Sequence, residues 1–228
     1  MSQLRSPIAV FDLDGTLADT VHDLVATLNA VMDREGLPHL PLEDGREMIG
    51  AGARALIERG LEAVGREVTP AHLDELHRFF LAHYNEHLCV HTRLFPGVVE
   101  ALDRLEAEGF RLAVCTNKYE DLSVSLLEGL GIAHRFGAIC GRDTFPYFKP
   151  DPRHLTLTVE RAGGDPRRAV MVGDSLTDVA TAKAAGIPVI AVTFGYSDVP
   201  AREFDADRLI DHFDDLHEAV GSVMKAAA

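Results

Sequence analysis

Four short stretches carry side chains that could do chemistry together. Asp12 and Asp14 sit in Phe11-Asp12-Leu13-Asp14-Gly15-Thr16, directly after the apolar run Ile8-Ala9-Val10. Two residues apart on an extended chain, their carboxylates point to one side, and Gly15 lets the chain turn away. Neighbouring carboxylates repel, so a cation must relieve them. Mg2+ is the economical one, because it is hard, oxygen-seeking and content with few protein ligands. The plain alternative is a strand end with two solvated turn aspartates, which a bare Asp-x-Asp favours. Thr116-Asn117-Lys118 follows a second apolar run. A hydroxyl and a backbone N–H there could hold phosphate oxygens, or Thr116 or Asn117 could simply cap a helix.

In Phe148-Lys149-Pro150-Asp151-Pro152, Pro150 biases Lys149 towards an extended shape. That makes it a fixed cation, or else a surface lysine before a helix with proline in its first turn. Val172-Gly173-Asp174-Ser175-Leu176-Thr177-Asp178 ends another apolar run in Asp174. Asp178, four residues on, faces the same point across a helical turn, although the helix dipole alone favours an aspartate there.

Such side chains need a frame that delivers them to one place. Short apolar runs bounded by turn residues read as buried strands at 8–10, 112–116, 138–140, 169–172 and 189–192, with 209–210 as a last edge strand. Between the first and second of these, Leu17, Val21, Leu24, Leu28 and Met32 form a helical stripe that Asp19 or Thr20 can cap. Gly36 and Pro38 stop it, a helical pattern broken at 49–53 follows, and Pro70 opens a helix with Leu73, Leu76, Phe80 and Leu81 inward. The stretch from 17 to about 91 therefore reads as all helical, with no strand. After Phe95-Pro96-Gly97, helices alternate with strands, which means a parallel sheet with helices on both faces. The predicted fold is α/β: a Rossmann-like doubly wound parallel sheet (1–17 and 92–228) with an inserted all-helical cap domain (18–91). Ligands of such sheets sit outside the carboxyl ends of the strands, and all four stretches lie there.

At 228 residues, 46% hydrophobic and mean hydropathy +0.02, the chain is of the size and make-up of a soluble globular enzyme. Asp and Glu outnumber Lys and Arg by 36 to 22, a net charge of −14. That field disfavours nucleic acid and anionic membranes as partners. It would repel a phosphate too, so a phosphate site needs local cations. Three cysteines, Cys89, Cys115 and Cys140, give no disulfide framework and suit a reducing, cytoplasmic setting. No apolar segment reaches the length of a membrane span, residues 1–6 are too short and polar for a leader, and the alanines at 226–228 are expected to fray. His83 and His87 have a Zn2+-compatible spacing but no accompanying metalloprotease motif, so chance is the better reading.

DLDGTL, TNK, KPDP and GDSLTD resemble, in order and spacing, the four motifs of the haloacid dehalogenase superfamily, and within it the phosphatases with a helical cap inserted after the first motif. FDLDGTLADT, MIGAGARALIERGL, LFPGVVEALDRL and CTNK are similar to the phosphoglycolate phosphatases. The resemblance implies Mg2+-dependent hydrolysis of a small phosphorylated metabolite, 2-phosphoglycolate foremost, by a monomer or homodimer. It makes Asp12 the nucleophile of an aspartyl-phosphate, and Asp14 the acid–base whose backbone carbonyl also reaches the metal. Asp12 and Asp174 become direct ligands, and Asp178 orients a metal-bound water. Thr116, Asn117 and Lys149 neutralise the phosphoryl oxygens. In the cap, Gly50 and Gly52 allow close backbone approach to a ligand, and the free N–H groups of the helix they open, or Arg54, would hold the substrate's carboxylate. The alternative for Arg54 is a surface arginine. A phosphatase for a sugar phosphate, nucleotide or pyrophosphate stays open, as does a hexose-phosphate mutase. Asp14 argues against a dehalogenase or phosphonatase, and the filled motif positions against a non-catalytic phosphate-binding protein.

Overall fold

The computed structural model describes residues 6–197 and 199–226. The reading of the first residues as no leader therefore lies, for residues 1–5, outside the described residues, as does the fraying expected of 227–228, while Ala226 still belongs to the last helix. In chain order the elements are β1 (Ile8–Phe11), β2 (Ala18–Asp19), α1 (Val21–Glu35), α2 (Leu42–Glu47), α3 (Ala53–Ala63), α4 (Pro70–Glu86), β3 (Arg93–Leu94), α5 (Val98–Ala107), β4 (Arg111–Cys115), α6 (Glu120–Gly129), β5 (Ala138–Cys140), α7 (Pro152–Arg161), β6 (Ala169–Gly173), α8 (Leu176–Ala185), β7 (Val189–Val192), β8 (Arg208–Ile210) and α9 (Leu216–Ala226).

Strict alternation along the strands divides the core into two layers. Ala9, Phe11, Leu112, Val114, Val170 and Val172 point to one face, where α5, α6 and α9 cover them. Ile8, Val10, Ala113, Cys115, Met171 and Val189 point to the other, beneath α7 and α8. With both faces covered, the strands β1, β6 and β7 are apolar throughout, as a parallel sheet requires. Their order is β5-β4-β1-β6-β7-β8, every pairing parallel. This is the doubly wound α/β fold expected from the alternation of helix and strand.

Helices α1–α4 enclose a third core of their own, built on Leu28, Val31, Met32, Ile57, Leu76 and Phe80. Burying each such side chain stabilises the block by about 1.5–3 kcal/mol. Gly36 in the left-handed region closes α1, and the Thr69 hydroxyl accepts from His72 N at the start of α4. Tyr196, from the loop after β7, also packs into this core. Among the described residues no helix is long and apolar enough to cross a membrane.

The structure corrects the sequence reading in three places. Residues 17–91 are not entirely helical: Ala18–Asp19 pairs antiparallel with Arg93–Leu94, so a two-stranded ribbon brackets the helical block. Thr20 takes the N-cap position of α1, but its hydroxyl makes no cap bond, and Asp19 belongs to the ribbon. Neither Thr116 nor Asn117 caps a helix, because α6 starts three residues later with Tyr119 at its N-cap.

Candidate active site

The strand order turns around between β1 and β6, the position where doubly wound sheets open a crevice beyond their carboxyl ends. Phe11 is in register with both Val114 and Val172, so Asp12, Cys115 and Gly173 fall at one level. Asp12 N donates to Val172 O at 2.9 Å, one last strand bond before the chain departs. The carboxylate of Asp12 keeps the facing of Ile8 and Val10 and is buried at the sheet edge.

Asp174 leaves β6 beside it. Its Oδ1 accepts from the Thr16 hydroxyl at 3.0 Å and its Oδ2 from Tyr196 N at 2.7 Å. The fit leaves no spare room: a Cβ on Gly15, whose φ is +80°, would stand 2.2 Å from Asp174 Oδ2. Glycine at 15 therefore serves both the turn and the approach of Asp174. Asp178 is held more completely. Its Oδ2 accepts from Asp174 N, Ser175 N and the Ser175 hydroxyl at 3.2, 3.1 and 2.7 Å, a capping box at the start of α8, while its Oδ1 accepts from Lys149 Nζ at 2.6 Å.

Lys149, whose side chain is 1% exposed, reaches this point from the loop ahead of α7, with Nζ 2.9 Å from Asp12 Oδ1. The reading of Lys149 as extended before proline is joined by a cis Lys149–Pro150 peptide. Asp151 caps α7, accepting from Arg153 N at 2.9 Å. Asn117 Nδ2 donates to Lys149 O at 3.1 Å and ties the two loops together. The Thr116 hydroxyl oxygen accepts from Lys118 N at 3.2 Å, which leaves its proton free to be donated.

Sequence reasoning attached no role to Lys118, yet the structure places it in the site. Its Nζ lies 2.9 and 3.0 Å from the two oxygens of Asp14 and 4.5 Å from the centre of the Tyr84 ring, which α4 brings down from above. Its adjacency to Thr116-Asn117 was the available signal. Thr16 and Tyr196 were missed as well; only Thr16, inside the first motif, could have been suspected.

A cavity separates this edge from the helical block. Asp12, Asp14, Thr116, Asn117 and Lys118 form its floor, and Gly50 and Gly52 reach its wall, together with apolar Leu56, Phe80 and Leu81. Gly50 and Gly52 have φ of +120° and +90°, and a Cβ on Gly52 would come 3.3 Å from Asn117 O. Gly52 thus lies close to the Asn117 backbone, whereas a Cβ on Gly50 would meet nothing nearer than 4.0 Å. Arg54 is not brought to the cavity. Its guanidinium turns to Asp74 of α4 and lies 3.7 Å from Glu58, so its charge is engaged by carboxylates of the block itself. His83 and His87 stack with ring centres 4.2 Å apart, and the His87 ring donates to His83 O.

Among the described residues one set of side chains could hold a metal: Asp12, Asp174 and Asp178, with oxygens within 4.8 Å of one another. Burial, partly offset by Lys149 and reinforced by Asp178 and Asp14, pushes the Asp12 carboxyl up to about 6. Burial and then the charges of Asp178 and Asp12 push Asp174 well above the usual carboxylate range. Lys149 is held charged: burial opposes this, and Asp12 and Asp178 outweigh it. One ammonium thus faces three buried carboxylates. Asp12 Oδ1 lies off the line of a hydrogen bond from Lys149 and accepts none. A hard divalent cation fits this set, since the donors are all carboxylate oxygens and negative charge is in excess. Asp178 Oδ2 accepts three hydrogen bonds and its Oδ1 meets Lys149, whereas each oxygen of Asp174 accepts one and Asp12 Oδ1 none, so Asp12 and Asp174 keep the greater capacity for a cation.

Residues 9–192 match the family described as haloacid dehalogenase-like hydrolase. The chain is 51% identical to the phosphoglycolate phosphatase of Mesorhizobium japonicum over 93% of its own length and 94% of that protein. It is 46% identical to the phosphoglycolate phosphatase of Agrobacterium fabrum, over 96% and 94%. It superimposes with a TM-score of 0.87 on the crystal structure of a predicted phosphoglycolate phosphatase from Haemophilus somnus, at 32% identity, covering 96% of this chain and 99% of that one.

Proposed function

Because the chain belongs to the haloacid dehalogenase-like hydrolase family and is a phosphoric monoester hydrolase, we propose that it cleaves 2-phosphoglycolate to glycolate and phosphate, with Mg2+ as its metal and an aspartyl-phosphate on Asp12 as intermediate. Two features support this reading: relatives of that activity align with nearly the whole chain, and a buried lysine and acidic cluster meets a small cavity at the strand ends.

Unaided phosphate monoester hydrolysis is extremely slow, and splitting it into two displacements lowers each barrier. Asp12 attacks phosphorus from the end of β1, and the bond from phosphorus to the glycolate oxygen breaks. Asp14, two residues further and on the cavity floor, gives its proton to the departing oxygen. It then takes a proton from the water that attacks the phosphorus of the aspartyl-phosphate, which releases phosphate and restores Asp12. Lys149 and the Thr116 hydroxyl hold charge and proton donors against the phosphoryl oxygens, and Asn117 keeps the Lys149 loop in place. Asp12, Asp174 and the backbone carbonyl of Asp14 are the groups to hold Mg2+, with Asp178 behind them. When bound, that ion supplies further positive charge to the phosphoryl group. The helical block 18–91 acts as a cap that shields the cavity from water during transfer.

A Mg2+-dependent screen of phosphorylated metabolites tests the assignment, with kcat/KM for 2-phosphoglycolate set against sugar phosphates, nucleotides, pyrophosphate and hexose phosphates supplied with a bisphosphate activator. 2-Phosphoglycolate is expected to lead by orders of magnitude, and Asp12→Asn to abolish turnover. A higher kcat/KM for another ester refutes the substrate, and wild-type turnover by Asp12→Asn refutes the nucleophile.

A further inference from the structure

The cavity floor holds a cation that the displacement chemistry leaves unused. We propose that Lys118, aided by Tyr84, recognises the carboxylate of the substrate and so selects carboxylate-bearing phosphate esters. This deepens the 2-phosphoglycolate reading and rests on it.

Lys118 is the one cationic side chain among the described residues that line the cavity, and its side chain is 5% exposed. A carboxylate entering a largely apolar pocket of a strongly acidic protein needs a partner of opposite charge to replace its hydration. Neither nearby arginine supplies it. Arg54 is engaged with Asp74 and Glu58, and Arg142 lies against the Phe148 ring, 4.8 Å from its centre, outside the lining. The ammonium of Lys118 already grips both oxygens of a carboxylate, that of Asp14, at 2.9 and 3.0 Å. An incoming carboxylate that displaces it keeps the buried ammonium paired, and frees Asp14 to turn to the leaving oxygen.

Tyr84 gives an independent indication. It is 1% exposed and lines the same cavity, and its hydroxyl has no hydrogen-bond partner. Its O–H beside the Lys118 ammonium has no acceptor, and so has a proton to donate to an incoming carboxylate. Lys118 stands two residues after Thr116 and its ammonium touches Asp14, two residues after Asp12. The carboxylate site therefore adjoins the phosphoryl site, as an ester with a single methylene between ester oxygen and carboxylate demands.

The test compares kcat/KM for 2-phosphoglycolate and for 2-hydroxyethyl phosphate, which replaces the carboxylate by a neutral alcohol, in wild type, Lys118→Met, Lys118→Arg and Tyr84→Phe. Wild type is expected to prefer 2-phosphoglycolate by about 100-fold or more. Lys118→Met reduces the ratio to within about 5-fold of unity, Lys118→Arg keeps most of it and Tyr84→Phe lowers it by about 10-fold. Lys118→Gln, a polar replacement still able to reach Asp14, gives the same collapse and guards against misfolding of the methionine variant. If Lys118→Met and Lys118→Gln slow both substrates by one common factor, Lys118 serves only to hold Asp14 and the proposal is overturned, while the substrate reading stands. A wild-type enzyme indifferent to the carboxylate overturns both.

Discussion

Replacing Lys149 by methionine keeps the length of the side chain and removes the ammonium that stands 2.9 Å from Asp12 and 2.6 Å from Asp178. Three buried carboxylates are then left without a cation. Breaking a buried ion pair by removing one partner costs about 3–5 kcal/mol. The pH dependence follows from Asp12, whose carboxyl is already pushed up to about 6 by burial, with Lys149 holding it down. Without Lys149 it rises further. A carboxyl raised in the folded state contributes stability that is fully present below its unfolded value and is lost as pH rises through the folded one. Wild type has therefore completed that loss a little above pH 6, whereas the variant goes on losing about 1.4 kcal/mol per pH unit. The gap should be smallest at pH 5 and widen as pH rises from 6 to 8, by up to about 1.4 kcal/mol per pH unit. Urea unfolding in a metal chelator, at unit steps from pH 5 to pH 8, measures it. A gap that does not change with pH, or one below about 1 kcal/mol at pH 8, refutes the account of Lys149 as the counter-ion of this cluster.

Other perturbations probe separate parts of the site. Asp14→Asn is expected to lower kcat by about 10²–10⁴, the usual range for a general acid–base, and an unchanged kcat excludes Asp14 from proton transfer. Gly15→Ala drives a methyl into Asp174 at a φ of +80°. It should weaken Mg2+ activation at least about tenfold and lower Tm, and a wild-type Mg2+ titration curve would show that Asp174 is not so confined. His154 is fully buried, its ring donates to Gly141 O, and burial, with Lys149 adding to it, lowers its pKa to about 4. A histidine kept neutral in this way contributes stability present above its unfolded value near 6.5 and lost as pH falls towards 4, about 3 kcal/mol in all. The difference in unfolding free energy between wild type and His154→Gln should shrink by that amount from pH 7 to pH 4, and a constant difference would refute the assignment.

How far the sequence reveals this site depends on the range of the interactions involved. Asp12 and Asp174 are legible because each follows an apolar run, and parallel strands in register must release such residues along one edge, while Lys149 is legible from the prolines that follow it. The same local logic fails for β2 and β3, since two-residue strands have no period to detect. It fails for Arg54 because a first-turn position says nothing about the neighbouring helix, and the partner it finds, Asp74, stands twenty residues away. Lys118 meets Asp14 at a separation of 104 residues, and Tyr84 arrives from a different core. No pattern within one segment encodes either meeting. Thr116 and Asn117 carry the residue types of helix caps, and only the position of Tyr119 at the head of α6 excludes that use.

The ribbon of Ala18–Asp19 with Arg93–Leu94 has an engineering consequence. Paired strands hold opposed Cα atoms only about 5 Å apart, so everything from residue 20 to 92 hangs from one narrow neck. A foreign segment could be spliced there, provided its ends meet and it repacks Tyr196, whose ring belongs to the helical core and whose N–H holds Asp174. The reacting residues stay on the sheet side of that neck, while the proposed selection of the carboxylate is divided across it, with Lys118 on the sheet side and Tyr84 within the exchangeable block.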